Sequence, residues 1–113
     1  MAKKAASHTF RDYVLDQLED LGGLSHRAMF GGVGLYQDGR FFAIIWRDVL
    51  YLKADNTTRA DFEAEGMSAF QPYPGRSGTM QYYQVPLAVL ESTHDLVAWA
   101  RKSVASVART SPG

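Results

Sequence analysis

His8, His26 and His94 are the only imidazoles in the chain, and imidazole is the side chain best suited to moving protons or holding a transition metal near neutral pH. None is spaced from another as H-x-H or H-E-x-x-H, so a metal centre would have to be assembled by tertiary proximity alone. There is no cysteine, which removes disulfides, thiolate metal sites and thiol nucleophiles together. No serine stands in G-x-S-x-G or S-x-x-K, so no nucleophile elbow is visible. Asp12, Asp16, Glu19 and Asp20 fall three or four residues apart on one helical surface. That spacing gives a solvated acidic face, whereas a working acid–base pair needs burial to shift one carboxyl. Gly31-Gly32-Val33-Gly34 could let backbone N–H groups approach a phosphate, but it fits neither G-x-x-x-x-G-K-[ST] nor G-x-G-x-x-G. A packing role in a strand is the simpler reading. No catalytic residue, metal ligand or cofactor is expected.

Aromatic and basic residues carry more information. Phe41, Phe42, Trp46, Tyr51, Phe70, Tyr73, Tyr82 and Tyr83 fall in strand-like segments. Adjacent Tyr82 and Tyr83 must point to opposite faces, so one is expected on the exposed side. Arg101, Lys102 and Arg109 gather towards the C-terminus, Arg76 lies in a Pro/Gly/Ser loop, and Arg27 precedes the glycine run. With Tyr82 or Tyr83, the cations Arg76, Arg101, Lys102 and Arg109 form a candidate nucleic-acid surface. Twelve basic residues are matched by twelve acidic ones, so the long-range field of a dedicated nucleic-acid binder is missing and a protein partner is preferred.

The elements that must position these residues follow from periodicity. Phe10, Val14, Leu18 and Leu21 make one apolar stripe of a first helix, capped by Ser7 and stopped by Gly22-Gly23. A first strand over 27–36 runs into Gln37-Asp38-Gly39-Arg40, whose Asp-Gly pair tolerates the positive φ of a tight hairpin. Strands over 41–47 and 49–53 follow, joined at Arg47-Asp48. Asp55 or Asn56 caps a short helix over 57–65. Further strands are expected over 69–73 and 80–85, then a helical turn over 87–90. Ser92-Thr93-His94-Asp95 has capping-box form before a long terminal helix with the stripe Leu96, Val97, Ala100, Val104 and Val107.

The order α-β-β-β-α-β-β-α, with hairpin connections, predicts an α+β domain with a mainly antiparallel five-stranded sheet and helices packed on it. The 113 residues suit one domain over 1–113, with a core of about 8–108 and tails at 1–6 and 110–113. The longest apolar run, 41–46, is far short of the roughly 20 residues a membrane helix requires. The basic start is followed by His8, Arg11 and Asp12 where a signal peptide would be apolar, so the cytoplasm is expected and no membrane partner.

The segments Arg27-Ala28-Met29-Phe30-Gly31-Gly32-Val33-Gly34-Leu35-Tyr36, Leu50-Tyr51-Leu52-Lys53 and Met80-Gln81-Tyr82-Tyr83-Gln84-Val85-Pro86, with Asp38-Gly39, Phe42-Ala43-Ile44-Ile45 and Trp99, occur together. This series resembles the N-terminal domain of the TfoX/Sxy family of bacterial competence regulators, over roughly residues 8–106. The resemblance implies a secretion-chaperone-like α+β fold and a non-enzymatic role in regulating DNA-uptake genes, beside the cAMP receptor protein. It also implies a stand-alone copy without the C-terminal helical domain of the best-known members. The function expected is a cytoplasmic interaction module for transcriptional regulation. It would bind a protein through a sheet edge or the aromatic face, with homodimerisation as one way to cover the edge. Arg27 is the motif residue given a structural or partner-binding role.

Overall fold

The computed structural model describes the backbone of residues 6–29, 31–70 and 81–110, with side chains from Phe10 to Val107 within those spans. Helix α1, Ala6–Gln17, is followed by a 3-10 turn, Glu19–Leu21, and by strands β1, Leu24–Met29; β2, Gly32–Gln37; β3, Arg40–Trp46; and β4, Val49–Lys53. Helix α2, Arg59–Ala64, precedes β5, Tyr82–Gln84, and the chain closes with α3, Leu87–Leu90, and α4, Thr93–Thr110. The strands form one five-stranded sheet in the order β1-β2-β3-β4-β5, and every pairing is antiparallel. The α+β class and five-stranded antiparallel sheet are those expected from the sequence. Among the described residues no helix is long and apolar enough to cross a membrane.

The turns match their residue chemistry. Asp38 and Gly39 both have positive φ, 50° and 83°, as a two-residue hairpin requires for the strands to keep their twist. Arg47 and Asp48 also sit at positive φ, 53° and 60°, without a glycine to relieve the crowding. The Arg47 guanidinium lies 4.3 Å from the centre of the Trp46 ring, an attraction that offsets part of that strain. Ser92 caps α4 by accepting from the Asp95 N–H at 3.2 Å.

Two strand assignments differ from the sequence reading. The strand expected over 27–36 is two strands that fold back between Met29 and Gly32, where Gly31 takes φ 77°. A glycine that looks like part of a strand is therefore a turn residue. The strand expected over 69–73 is reduced to a single bridge, Ala69 to Tyr83; Pro72 and Tyr73 lie outside the described residues.

Helices cover one face of the sheet. There Leu35, Phe42, Ala43, Ile45, Leu50 and Leu52 pack with Val14, Leu18, Leu96 and Ala100 in one buried cluster, the stabilisation coming from apolar surface withdrawn from water. A bulge between Leu35 and Tyr36 on β2 leaves Phe42 as an extra residue, since Tyr36 pairs with Phe41 and Leu35 with Ala43. Ser103 of α4 donates to the Phe42 carbonyl at 2.9 Å, tying the helix to the irregular point of the ladder. At α2 the Asp55 carboxylate accepts from the N–H groups of Thr57 and Thr58, at 2.9 and 3.1 Å. These bonds close the turn that leads into α2, whose N-cap residue is Thr58 and not the expected Asp55 or Asn56, and Thr58 contacts Ser106 of α4 at 3.4 Å.

Candidate functional site

The other face of the sheet is built from rings. Strand register places Tyr36 opposite Phe41 and Tyr51 opposite Ile44, and period-two alternation sends all four side chains away from the helices. Tyr36 and Phe41 lie 5.3 Å apart between ring centres and Phe41 and Tyr82 5.4 Å. Phe70, buried, meets Trp46 edge-on at 5.3 Å and Tyr51 at 4.6 Å. These separations fall within the attractive range for tilted and edge-to-face rings. Phe41, Trp46 and Tyr51 remain partly exposed around the buried Ile44, Phe70 and Tyr82.

The glycine run shapes this surface. A Cβ on Gly32 would strike the Ile45 carbonyl and come within 3.0 Å of the Trp46 ring. A Cβ on Gly34 would meet the Met29 side chain at 2.7 Å and the Phe41 ring at 3.0 Å. Missing side chains at these positions let Trp46, Met29 and Phe41 lie down on β2. The glycines answer a packing demand, as the sequence reading preferred.

Cations edge the rings. Arg27 sits 5.3 Å from the Tyr36 ring centre, Arg47 covers Trp46, and the Lys53 ammonium is 6.0 Å from Tyr82. Burial, with a smaller contribution from Tyr36, pushes the Tyr82 phenol up to about 12; burial alone raises Tyr51. Both phenols are therefore neutral near pH 7 and are donors, not bases. The arrangement offers flat apolar area, phenol hydroxyls and positive charge, a composition suited to recognition.

The sequence-derived residues separate into two groups. Arg27 and Tyr82 lie on the aromatic face, Arg27 exposed and Tyr82 only 7% exposed. Tyr83 points to the helical side and stacks on Phe62 at 5.5 Å, and Phe62 meets Trp99 edge-on at 4.9 Å. Neither tyrosine is thus the freely exposed ring that alternation led us to expect, because both faces are packed at β5. Arg101 and Lys102 are exposed on α4, across the sheet from Tyr82. Arg101 donates to the Asp20 carbonyl at 3.4 Å, and Lys102 pairs with Asp61 at 3.5 Å. The structure therefore does not bring Arg101 and Lys102 together with Tyr82. Arg76 lies outside the described residues, as does the side chain of Arg109. Sequence reasoning missed Tyr36, Arg47 and Lys53 as members of one surface. The two hairpin turns would have supplied the register that places Tyr36 by Phe41 and Tyr51 by Ile44.

The two edges of the sheet differ. On β5, Phe70 donates to the Tyr82 carbonyl at 2.6 Å and Gln84 donates to the Ser68 carbonyl at 3.1 Å, so the chain covers that edge itself. Strand β1 pairs only with β2 among the described residues, and Ser25, His26, Arg27 and Ala28 are all exposed. Arg27 stands where the open edge meets the aromatic face. Arg101 borders two concavities, one of about 310 Å³ beside Gln37 and Arg40 and one of about 510 Å³ beside Asp20 and His94. His26 lines neither.

No curated protein matches the chain. The family model of the TfoX N-terminal domain matches residues 16–107, a span that takes in the glycine run, all five strands and most of α4; the chain belongs to the TfoX N-terminal domain family.

Proposed function

We propose that this competence-regulator-like domain is a non-enzymatic regulatory module that acts in the cytoplasm, contacting a protein involved in transcriptional control through its aromatic sheet face. The observation that carries this reading is the joining of half-exposed Tyr36, Phe41, Trp46 and Tyr51 with Arg27 and Arg47 on one surface. Tyr, Trp and Arg dominate the energetics of protein interfaces, because each combines large apolar area with a directional polar group. The family membership supports the regulatory setting.

The test is capture from the native host with the whole chain and with an Arg27→Ala, Tyr36→Ala double variant. The wild-type domain is expected to retain a specific protein that survives nuclease treatment and moderate salt. The folded double variant should lose it, with the transcripts it controls changing in parallel. Equal retention by both proteins would remove the aromatic face from the reading.

A second reading has its own support: Arg27, Arg47 and Lys53 each lie against a ring of the same face, as on single-strand nucleic-acid platforms. Binding of single-stranded DNA or RNA that falls steeply with salt would favour it. No binding at low salt would dismiss it.

A further inference from the structure

The backbone of β1 has a direction that follows from its hairpin with β2. Asp38 donates to the Gly23 carbonyl at 2.9 Å, so Gly23 and Asp38 form a hydrogen-bonded pair. Such pairs alternate along an antiparallel ladder. With the register Ser25 to Tyr36, Arg27 to Gly34 and Met29 to Gly32, those three residues turn their N–H and C=O groups towards β2. Leu24, His26 and Ala28 turn theirs outward. The outward groups are symmetric about His26, no proline or bulge interrupts the strand, and the opposite edge of the sheet is already covered by residues 68–70. An open edge of this kind is a template for another strand.

Charge chooses the strand. The start of β1 is acidic: the Asp38 carboxylate lies against Gly23, and Glu19 and Asp20 are exposed on the preceding 3-10 turn. The far half carries exposed Arg27. A strand of the same sequence running antiparallel brings each Arg27 to the acidic start of the other copy, twice over, as a two-fold axis demands.

We propose that the domain forms a homodimer in which β1 pairs with β1 of a second copy about a two-fold axis at His26. Leu24 stands opposite Ala28 of the other copy, Ser25 opposite Arg27, and His26 opposite itself. Three hydrogen-bonded pairs supply about six backbone bonds, and the two sheets join with their aromatic faces on the same side. The proposal is independent of the regulatory reading: it concerns the edge, and its test uses the pure protein.

Sedimentation equilibrium of the full chain is expected to give twice the 12.6 kDa chain mass. Ala28→Pro removes an outward N–H and no bond to β2, so it should sediment as a monomer with an unchanged circular dichroism spectrum. Arg27→Glu should weaken the dimer by about tenfold or more, through like charges at both ends; it decides the matter if the proline variant does not fold. His26→Cys, the only thiol in an otherwise cysteine-free chain, should be captured as a disulfide-linked dimer by copper-phenanthroline in air, because the opposed Cα atoms would lie within bridging range. A monomeric wild type at about 100 µM, or a dimer insensitive to both Ala28→Pro and Arg27→Glu, overturns the proposal.

Discussion

The two faces of the sheet use opposite materials for opposite ends. Under the helices β2, β3 and β4 contribute aliphatic side chains and Phe42, with a smaller ring group of Tyr83, Phe62 and Trp99 at β5, and Leu35, Phe42, Ala43 and Leu52 are fully buried. On the far face Phe41, Trp46 and Tyr51 stay partly exposed around the buried Phe70 and Tyr82, and the rings are bordered by Arg27, Arg47 and Lys53. Aliphatic close packing gives stability through withdrawn area and leaves nothing for a partner to read. Half-exposed rings give up some of that gain and keep apolar surface available. The difference teaches that the domain's stability and its recognition capacity reside on separate sides of one sheet, coupled through β3.

The sharpest way to break this comparison is to truncate one ring on each side. Phe42→Ala should lower the unfolding free energy by about 3–5 kcal/mol in denaturant titration, whereas Tyr36→Ala should cost about 1–2 kcal/mol while eliminating partner capture. Equal costs would mean that the aromatic face is a second core. Gly32→Ala comes next, at about 1–3 kcal/mol, because its methyl group meets the Ile45 carbonyl, which cannot rotate away; thermal unfolding measures it.

Alkaline titration sharpens the comparison further. The Tyr82 phenol has a pKa of about 12 in the fold against 10.0 in the unfolded chain, so the native state holds its proton more tightly between those values. The stabilisation is complete below pH 10 and is lost as pH rises towards 12. Tyr82→Phe should flatten the decline of stability across that window, measured by denaturant midpoints at successive pH values. The smallest effect is expected from Lys102→Ala, about 0.3 kcal/mol, since its pair with Asp61 is exposed and screened. It should also leave partner capture intact, because α4 lies on the side away from the rings.

Much of this architecture is legible in the residues. Asp38-Gly39 marks its turn because few other pairs accept two positive φ values, and the stripe Leu96, Val97, Ala100 locates the buried side of α4. Asp55 was legible in part: its carboxylate takes the N–H groups of Thr57 and Thr58 in the turn that leads into α2, while the helix itself starts after Thr58. The Gly31 turn was not, since three glycines in four residues erase the contrast between strand and bend. The placement of Tyr82 and Tyr83 was legible only in part: alternation separates them, but whether each is covered depends on Phe62 and on Phe41, distant in sequence. The candidate surface was the least legible, because Arg27, Arg47 and Lys53 become neighbours of one face only after four strands are aligned.

The supernumerary residue at Phe42 sets two consecutive side chains, Phe42 and Ala43, on the helical side of the third strand, where simple alternation would send one to each side. The bulge absorbs that residue without disturbing the pairs that flank it, Tyr36 with Phe41 and Leu35 with Ala43. Excising Phe42 would therefore restore a regular ladder and leave Ile44 and Trp46 on the ring-bearing side, with the loss confined to one large ring wedged beneath the helices.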